Sequence, residues 1–290
     1  MVASYKVMFF LFLLLAAVPA QAQPAATGDD ARAIVLLSAE RDQNDLEARR
    51  NYTFLTHTEQ HDLDADGRVK KTQSRTHEVL ILYGSPYERL IARDDRPLSP
   101  DEDRKERKKM DKEMARREKE SSKQREKLAQ EETEGVRRQR AILLEVADAF
   151  EFQLLGEEEV DGFATWVIQA DPRPGYKPRS KETRFLPNFR GRIWITKDDY
   201  RWVKVDAEVI RRISLGWVLA RLNPGTTLAF EQKRVHGEIW MPSQIHLRAV
   251  GRVALLKKFS AEVLVTYSDF RKFQSDSRIS DTMEVIPESP

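Results

Sequence analysis

The sequence predicts a mainly β protein with helices. Its sheet is antiparallel and meandering, strongly curved or half closed. Two observations carry this. From Phe150 to Phe273, short runs of alternating apolar and polar residues are joined by turn residues. That is the pattern of hairpin-linked strands with one dry and one wet face. Between 101 and 140, by contrast, about two thirds of the residues are Lys, Arg, Asp or Glu with both signs mixed. Such a stretch has little to bury and suits a solvated helix.

The chain opens with Met1-Val-Ala-Ser-Tyr-Lys6, an apolar run from Val7 to Val18, Pro19 and Ala20-Gln-Ala22. A cation, an apolar core and an Ala-x-Ala end read as a cleavable signal peptide over 1–22. The run is too short for a membrane span, which needs about 20 residues. The protein is therefore expected in the periplasm, with no membrane span after signal cleavage. Asp29 to Asp45 reads as a helix, with acids at its start and a loose stripe of Ile34, Leu37 and Leu46. From Arg50 the period changes to two. Strands flank Asp64-Ala-Asp-Gly67, and a Gly84-Ser-Pro86 turn leads into a third.

Ser99-Pro-Asp-Glu102 is a helix start: Ser as N-cap, Pro at the first position, acids in the first turn. It opens a charged helical insertion over about 99–147, one helix or a pair broken near Ser121-Ser122. Strands then follow at Phe150–Leu154, Phe163–Ala170, Arg192–Thr196, Tyr200–Ile213, Thr226–Val235, Glu238–Val250 and Ser260–Phe273. The segment 23–280 is expected to form a single β domain, with 281–290 a flexible tail.

The chain has 49 Lys and Arg against 47 Asp and Glu, a net charge of +2, and no cysteine. That removes disulfides, thiolate catalysis and thiolate metal sites, and gives no whole-molecule drive towards nucleic acid. There is no Gly-x-Ser-x-Gly elbow, no His-Glu-x-x-His and no phosphate-cradling loop. No catalytic residue, metal ligand or cofactor is assigned, and the protein is read as not an enzyme.

In 201–209, Val203, Val205, Ala207 and Val209 are expected to face one way. In 243–249 Ile245, Leu247 and Ala249 do, and in 261–267 Ala261, Val263, Val265 and Tyr267. These faces need a cover. Either they pack on each other and on the helices, or they enclose a hydrophobic cavity. Candidate ligand-binding residues are Val203, Val205, Ile245, Leu247, Val263 and Val265, with Trp202. Asp62-x-Asp64-x-Asp66-Gly67 is read as a solvated turn, or as half of a calcium loop that carries Gln73 where a Glu would be needed. His57 and His61 are read as polar residues on a wet face. A zinc site would need a third ligand such as His77.

Several stretches carry a resemblance over about Asn51 to Phe273: Leu63-Asp-Ala-Asp-Gly-Arg-Val69, Pro97-Leu-Ser-Pro100, Gly156 to Ala170 with Pro172-Arg-Pro-Gly175, Arg190-Gly-Arg-Ile-Trp-Ile195, Asp199-Tyr-Arg-Trp-Val-Lys-Val205 and Tyr267-Ser-Asp-Phe-Arg-Lys-Phe273. With these the chain resembles the superfamily of periplasmic outer-membrane lipoprotein carriers, the LolA/LolB-like fold, and within it an uncharacterised family of exported bacterial proteins. The resemblance implies a half-open antiparallel barrel covered by helices. It also implies a lipid or lipoprotein acyl chain as partner, and no catalytic residues. The charged insertion departs from the small carriers. On the same scaffold the alternative is an interaction or sensory domain with the cavity filled, meeting a protein partner through the helix at 99–147.

Overall fold

The computed structural model describes residues 28–64, 66–121, 123–124, 126–127, 130, 134–135, 137, 145–180, 183–215, 220–253 and 257–273. The expected signal peptide and the tail at 281–290 lie outside the described residues. Helix α1 spans Gly28–Arg49, beyond the expected end at Asp45. Tertiary contacts hold its last turn. Arg49 Nη2 donates to Asp42 Oδ1 at 2.6 Å and to Gln232 Oε1 at 3.0 Å, and Arg49 Nε donates to the Trp240 carbonyl at 2.8 Å.

The strands are β1 (Tyr52–Leu63), β2 (Val69–Leu82), β3 (Ser85–Arg93), β4 (Arg96–Pro97), β5 (Phe150–Val160), β6 (Phe163–Pro172), β7 (Phe189–Thr196), β8 (Trp202–Val209), β9 (Ile213–Leu215), β10 (Ala220–Leu222), β11 (Thr227–Val235), β12 (Ile239–Val253) and β13 (Lys257–Lys272). They form one antiparallel sheet in the order β4-β3-β2-β1-β13-β12-β11-β8-β7-β6-β5, with β10 paired to β12 and β9 to β10. The ends of that path do not meet, so the sheet is an open, curved one. Among the described residues no helix is long and apolar enough to cross a membrane.

The expected strand over 200–213 is two strands. The Asn188 carbonyl accepts from the N–H groups of Ile210 and Arg211 at 2.8 and 3.3 Å. That takes the backbone out of the ladder and ends β8 at Val209.

Helix α2 (Pro100–Glu118) begins with a full capping box. The Ser99 N–H donates to Glu102 Oε2 at 3.1 Å, and the Glu102 N–H donates to Ser99 Oγ at 3.4 Å. The helix buries no residue and is laced with ion pairs one turn apart, such as Arg107–Asp103 and Arg117–Glu113. Hydrogen bonds from Arg116 and Arg117 hold the Glu113 carboxyl down at about 2. The helix is fixed to β3 by Arg89–Asp103 at 2.8 Å and by Arg117 Nη1, which donates to the Leu82 and Ser85 carbonyls at 2.8 Å. Of the two readings, one helix or a broken pair, the break near Ser121 is the one observed. The Ser121 N–H donates to Gln124 Oε1 at 2.9 Å, and the Gln124 N–H donates to Ser121 Oγ at 3.3 Å.

The main core lies between α1 and one face of β5, β6 and β7. Ala31 and Val35 of the helix meet Phe150, Phe152, Ile168, Ala170 and Ile195. Ile168 and Ile195 are 0% exposed. Two glycines let neighbouring strands approach closely on that same face. A Cβ at Gly191 would strike the Asp206 carbonyl oxygen of β8. One at Gly251 would strike the Arg221 carbonyl oxygen of β10 and the Phe259 ring. In both cases backbone is in the way, so the neighbour cannot swing aside. Gly251→Ala should therefore lower stability by about 1–3 kcal/mol, read as a loss in thermal midpoint. An unchanged midpoint would mean that the close approach is not needed.

Two carboxyls tie loops to this core and set an acid limit. Glu145 is 4% exposed. Burial alone would raise its pKa, but the Arg179 N–H at 2.8 Å and the hydroxyls of Tyr176 and Thr183 hold it below the usual carboxylate range. Burial and the bond to Glu145 push the Tyr176 hydroxyl up to about 12. Asp199 behaves like Glu145. Burial opposes its charge, yet hydrogen bonds from Thr196 and from Trp240 Nε1, the latter at 2.9 Å, keep it lowered. A carboxyl lowered by folding stabilises above its unfolded pKa, about 4, and that contribution is lost as pH falls through the folded value. Glu145→Gln and Asp199→Asn should each cost stability at pH 7 and flatten its fall below pH 4. Urea unfolding at pH 7 and pH 3 measures this, and a parallel loss at both pH values would contradict it.

Candidate ligand-binding face

The register of the sheet aligns a continuous apolar row across seven strands. Leu154, Ile168, Ile193, Val205, Phe230, Ile245 and Val265 stand successively opposite one another, ending on Thr58 of β1. One pleat along runs a second row: Phe152, Ala170, Gly191, Ala207, Leu228, Leu247 and Val263, ending on Gln60. Because side chains alternate along every strand, both rows lie on one face. It is the face that carries Gly191 and Gly251.

The rows divide by what covers them. Their β5–β7 half is the core beneath α1. Their other half, Val205, Phe230, Ile245 and Val265 with Leu228, Leu247 and Val263, is half-buried and belongs to none of the three core clusters. Trp202 joins the halves. It packs against the α1 core and lies 4.7 Å from Phe230, ring centre to ring centre.

Five of the seven expected site residues, Val205, Ile245, Leu247, Val263 and Val265, thus come together on one face, with Trp202 at its border. Val203 does not join them. The pairing of β7 with β8 shifts between Trp194 and Ile195, so Ile193 faces Val205 while Ile195 faces Trp202. The extra residue, Val203, packs with Val167, Trp194 and Trp240 at 2% exposure. This corrects the expectation that Val203, Val205, Ala207 and Val209 share a face. Leu228 and Phe230 were missed. Their alternation in Thr227-Leu-Ala-Phe-Glu231 is the signal that would have found them.

The opposite face is polar. It holds a cleft of about 700 Å³ lined by Gln169, Asp171, Arg190, Arg192, Asp206 and Glu208 among others. A cross-strand ion pair, Arg190–Glu208 at 3.4 Å, and a hydrogen bond between His246 Nε2 and Glu262 Oε1 at 2.7 Å run over it. His57 and His61 are on this side, bonded to Thr76 and Thr72. His77 stands opposite Thr56 and so faces the other way, which removes it as their third ligand. Among the described residues no group of three His, Asp or Glu is placed to hold a metal ion. Asp64 makes a turn: its Oδ1 accepts from the N–H groups of Asp66 and Arg68, each at 2.9 Å. Of the five tryptophans, Trp217 lies outside the described residues. Trp194 and Trp240 are buried, with their ring N–H groups on Glu158 and Asp199.

No family model matches the chain, and no curated protein matches it. Among solved structures it is similar to an outer-membrane lipoprotein-sorting protein domain from Vibrio parahaemolyticus, at 12% identity over 87% of this chain and 96% of that one, with a TM-score of 0.34. It is similar to a DUF1329 family protein from Desulfovibrio piger, at 14% identity over 87% and 95% of the two chains, with a TM-score of 0.30. It is also similar to a LolA superfamily protein from Nitrosomonas europaea, at 11% identity over 84% and 94%, with a TM-score of 0.28.

Proposed function

We propose that this is a non-enzymatic periplasmic protein that binds a hydrophobic ligand, the acyl chain of a lipid or lipoprotein, along the half of the apolar face that lies outside the core clusters of the described residues. One observation carries the reading. The two apolar rows continue past the edge of the core, through Val205, Phe230, Ile245 and Val265 and through Leu228, Leu247 and Val263, on the same face of the sheet as that core. An acyl chain laid along them would contribute about 0.8 kcal/mol for each methylene fully removed from water. No polar group of the face has to be desolvated until Thr58 and Gln60 at its far end.

Native mass spectrometry tests this, on protein purified from the periplasm without detergent and then extracted with organic solvent. The expected result is an added mass that the extraction releases as an acylated species. A clean apo mass, unchanged after incubation with palmitate or phosphatidylglycerol, would overturn the proposal.

A further inference from the structure

One end of the sheet gathers three hairpin connections: β1 to β2, β9 to β10, and β12 to β13. On its polar side, Arg221 of β10, Arg252 of β12 and Lys258 of β13 stand directly opposite one another. Arg248 lies four residues back along β12, on the same side. None of these four side chains forms an ion pair or hydrogen bond among the described residues. Arg248, Arg252 and Lys258 are exposed. Elsewhere on this face cations pair with acids across strands, as Arg190 does with Glu208 and Lys204 with Glu231. Like charges placed directly opposite on neighbouring strands destabilise a sheet, so folding alone does not account for this row.

The neighbouring acids do not neutralise it. Asp64 and Asp66 line the same cleft of about 740 Å³ as Arg248, Arg252 and Lys258. The Asp64 carboxylate is occupied by the backbone of its own turn, and neither acid pairs with these cations. The adjacent hairpin adds Arg68, Lys70 and Lys71, all exposed, around Val69, which is 55% exposed. Cations spread over neighbouring hairpins, with an exposed apolar residue among them, suit a broad anionic surface with an apolar interior better than a single small anion.

We infer that this end of the sheet docks on the surface of an anionic lipid bilayer. The inference stands apart from the acyl-binding reading, since it uses a different face and different residues. Its test is co-sedimentation of the whole protein with vesicles of phosphatidylcholine carrying 30% phosphatidylglycerol, a composition on the order of natural anionic membranes, and with pure phosphatidylcholine vesicles. Binding is expected to the anionic vesicles only. It should weaken sharply between 0.1 and 1 M salt, as the screening length falls from about 10 to about 3 Å. Each cation near such a surface is worth about fivefold in affinity, so R221Q/R252Q/K258Q should bind about 100-fold more weakly. That variant relieves repulsion, and its melting temperature should be unchanged or higher. K105Q/K108Q/K112Q on α2 should bind as the parent does, and Val205→Asp should dock normally. Equal binding to both vesicle types would overturn the inference. So would salt-insensitive binding, equal loss in the two triple variants, or binding to an oligonucleotide with none to anionic vesicles.

Discussion

Replacing Arg49 with alanine should lower the free energy of unfolding by about 3–5 kcal/mol. Arg49 is 17% exposed and its partner Asp42 only 6%. Its guanidinium answers three acceptors at once: the Asp42 carboxylate, the Gln232 amide oxygen and the Trp240 carbonyl. Truncation leaves a buried carboxylate without a counter-charge and two further acceptors without a donor. The large cost arises there, whereas the intact pair gains little over an apolar isostere. Arg49→Met combined with Asp42→Leu should therefore recover most of the loss. Urea unfolding of the single and double variants decides the point. Additive losses would show that the pair is not coupled. Because this clasp fixes the end of α1 to β11 and β12, Arg49→Ala should also loosen the helical cover over Ile168 and Ile195.

Placing a charge on the apolar face should separate folding from binding. Val205→Asp should leave the fold intact, since Val205 is half-buried and lies outside the core clusters. It should weaken binding of a fluorescent long-chain acyl probe on the order of 100-fold, because a carboxylate would be buried against methylenes. Phe230→Asp should do the same. Val203→Asp, two residues from Val205, should instead unfold the protein, because its side chain is sealed on the other face against Trp194 and Trp240. Probe titration and thermal melting of the pair read the two outcomes. If Val205→Asp binds as tightly as the parent, the ligand is not on this face.

Much of the architecture was legible because one face of nearly every strand is dry and the other wet. Ile245 to Ala249 alternates strictly, and its register partners Val265, Val263 and Ala261 follow the same parity. The N-cap at Ser99 was legible too, and a break near Ser121 was one of two readings, since both are local hydrogen-bond motifs. What was hidden depends on partners distant in sequence. The bulge that turns Val203 away exists only where β8 pairs with β7, and nothing in Trp202-Val-Lys-Val205 announces it. The end of β8 is set by the Asn188 carbonyl, over 20 residues upstream. The last turn of α1 is held by Arg49 reaching residues more than 180 positions away. The cationic row was invisible for the same reason. Arg221, Arg252 and Lys258 are scattered along the chain and become neighbours only through the register of β10, β12 and β13.

The central claim is that the half of the apolar face outside the core clusters holds an acyl chain. The most direct test is photo-crosslinking of the protein with a fatty acid carrying a diazirine near its tail, followed by peptide mapping. The account predicts adducts concentrated in 203–209, 228–230, 245–249 and 261–265, displaced by excess unlabelled palmitate. Adducts confined to the polar cleft around Arg190 and Arg192, or spread over the surface and not displaced, would contradict it.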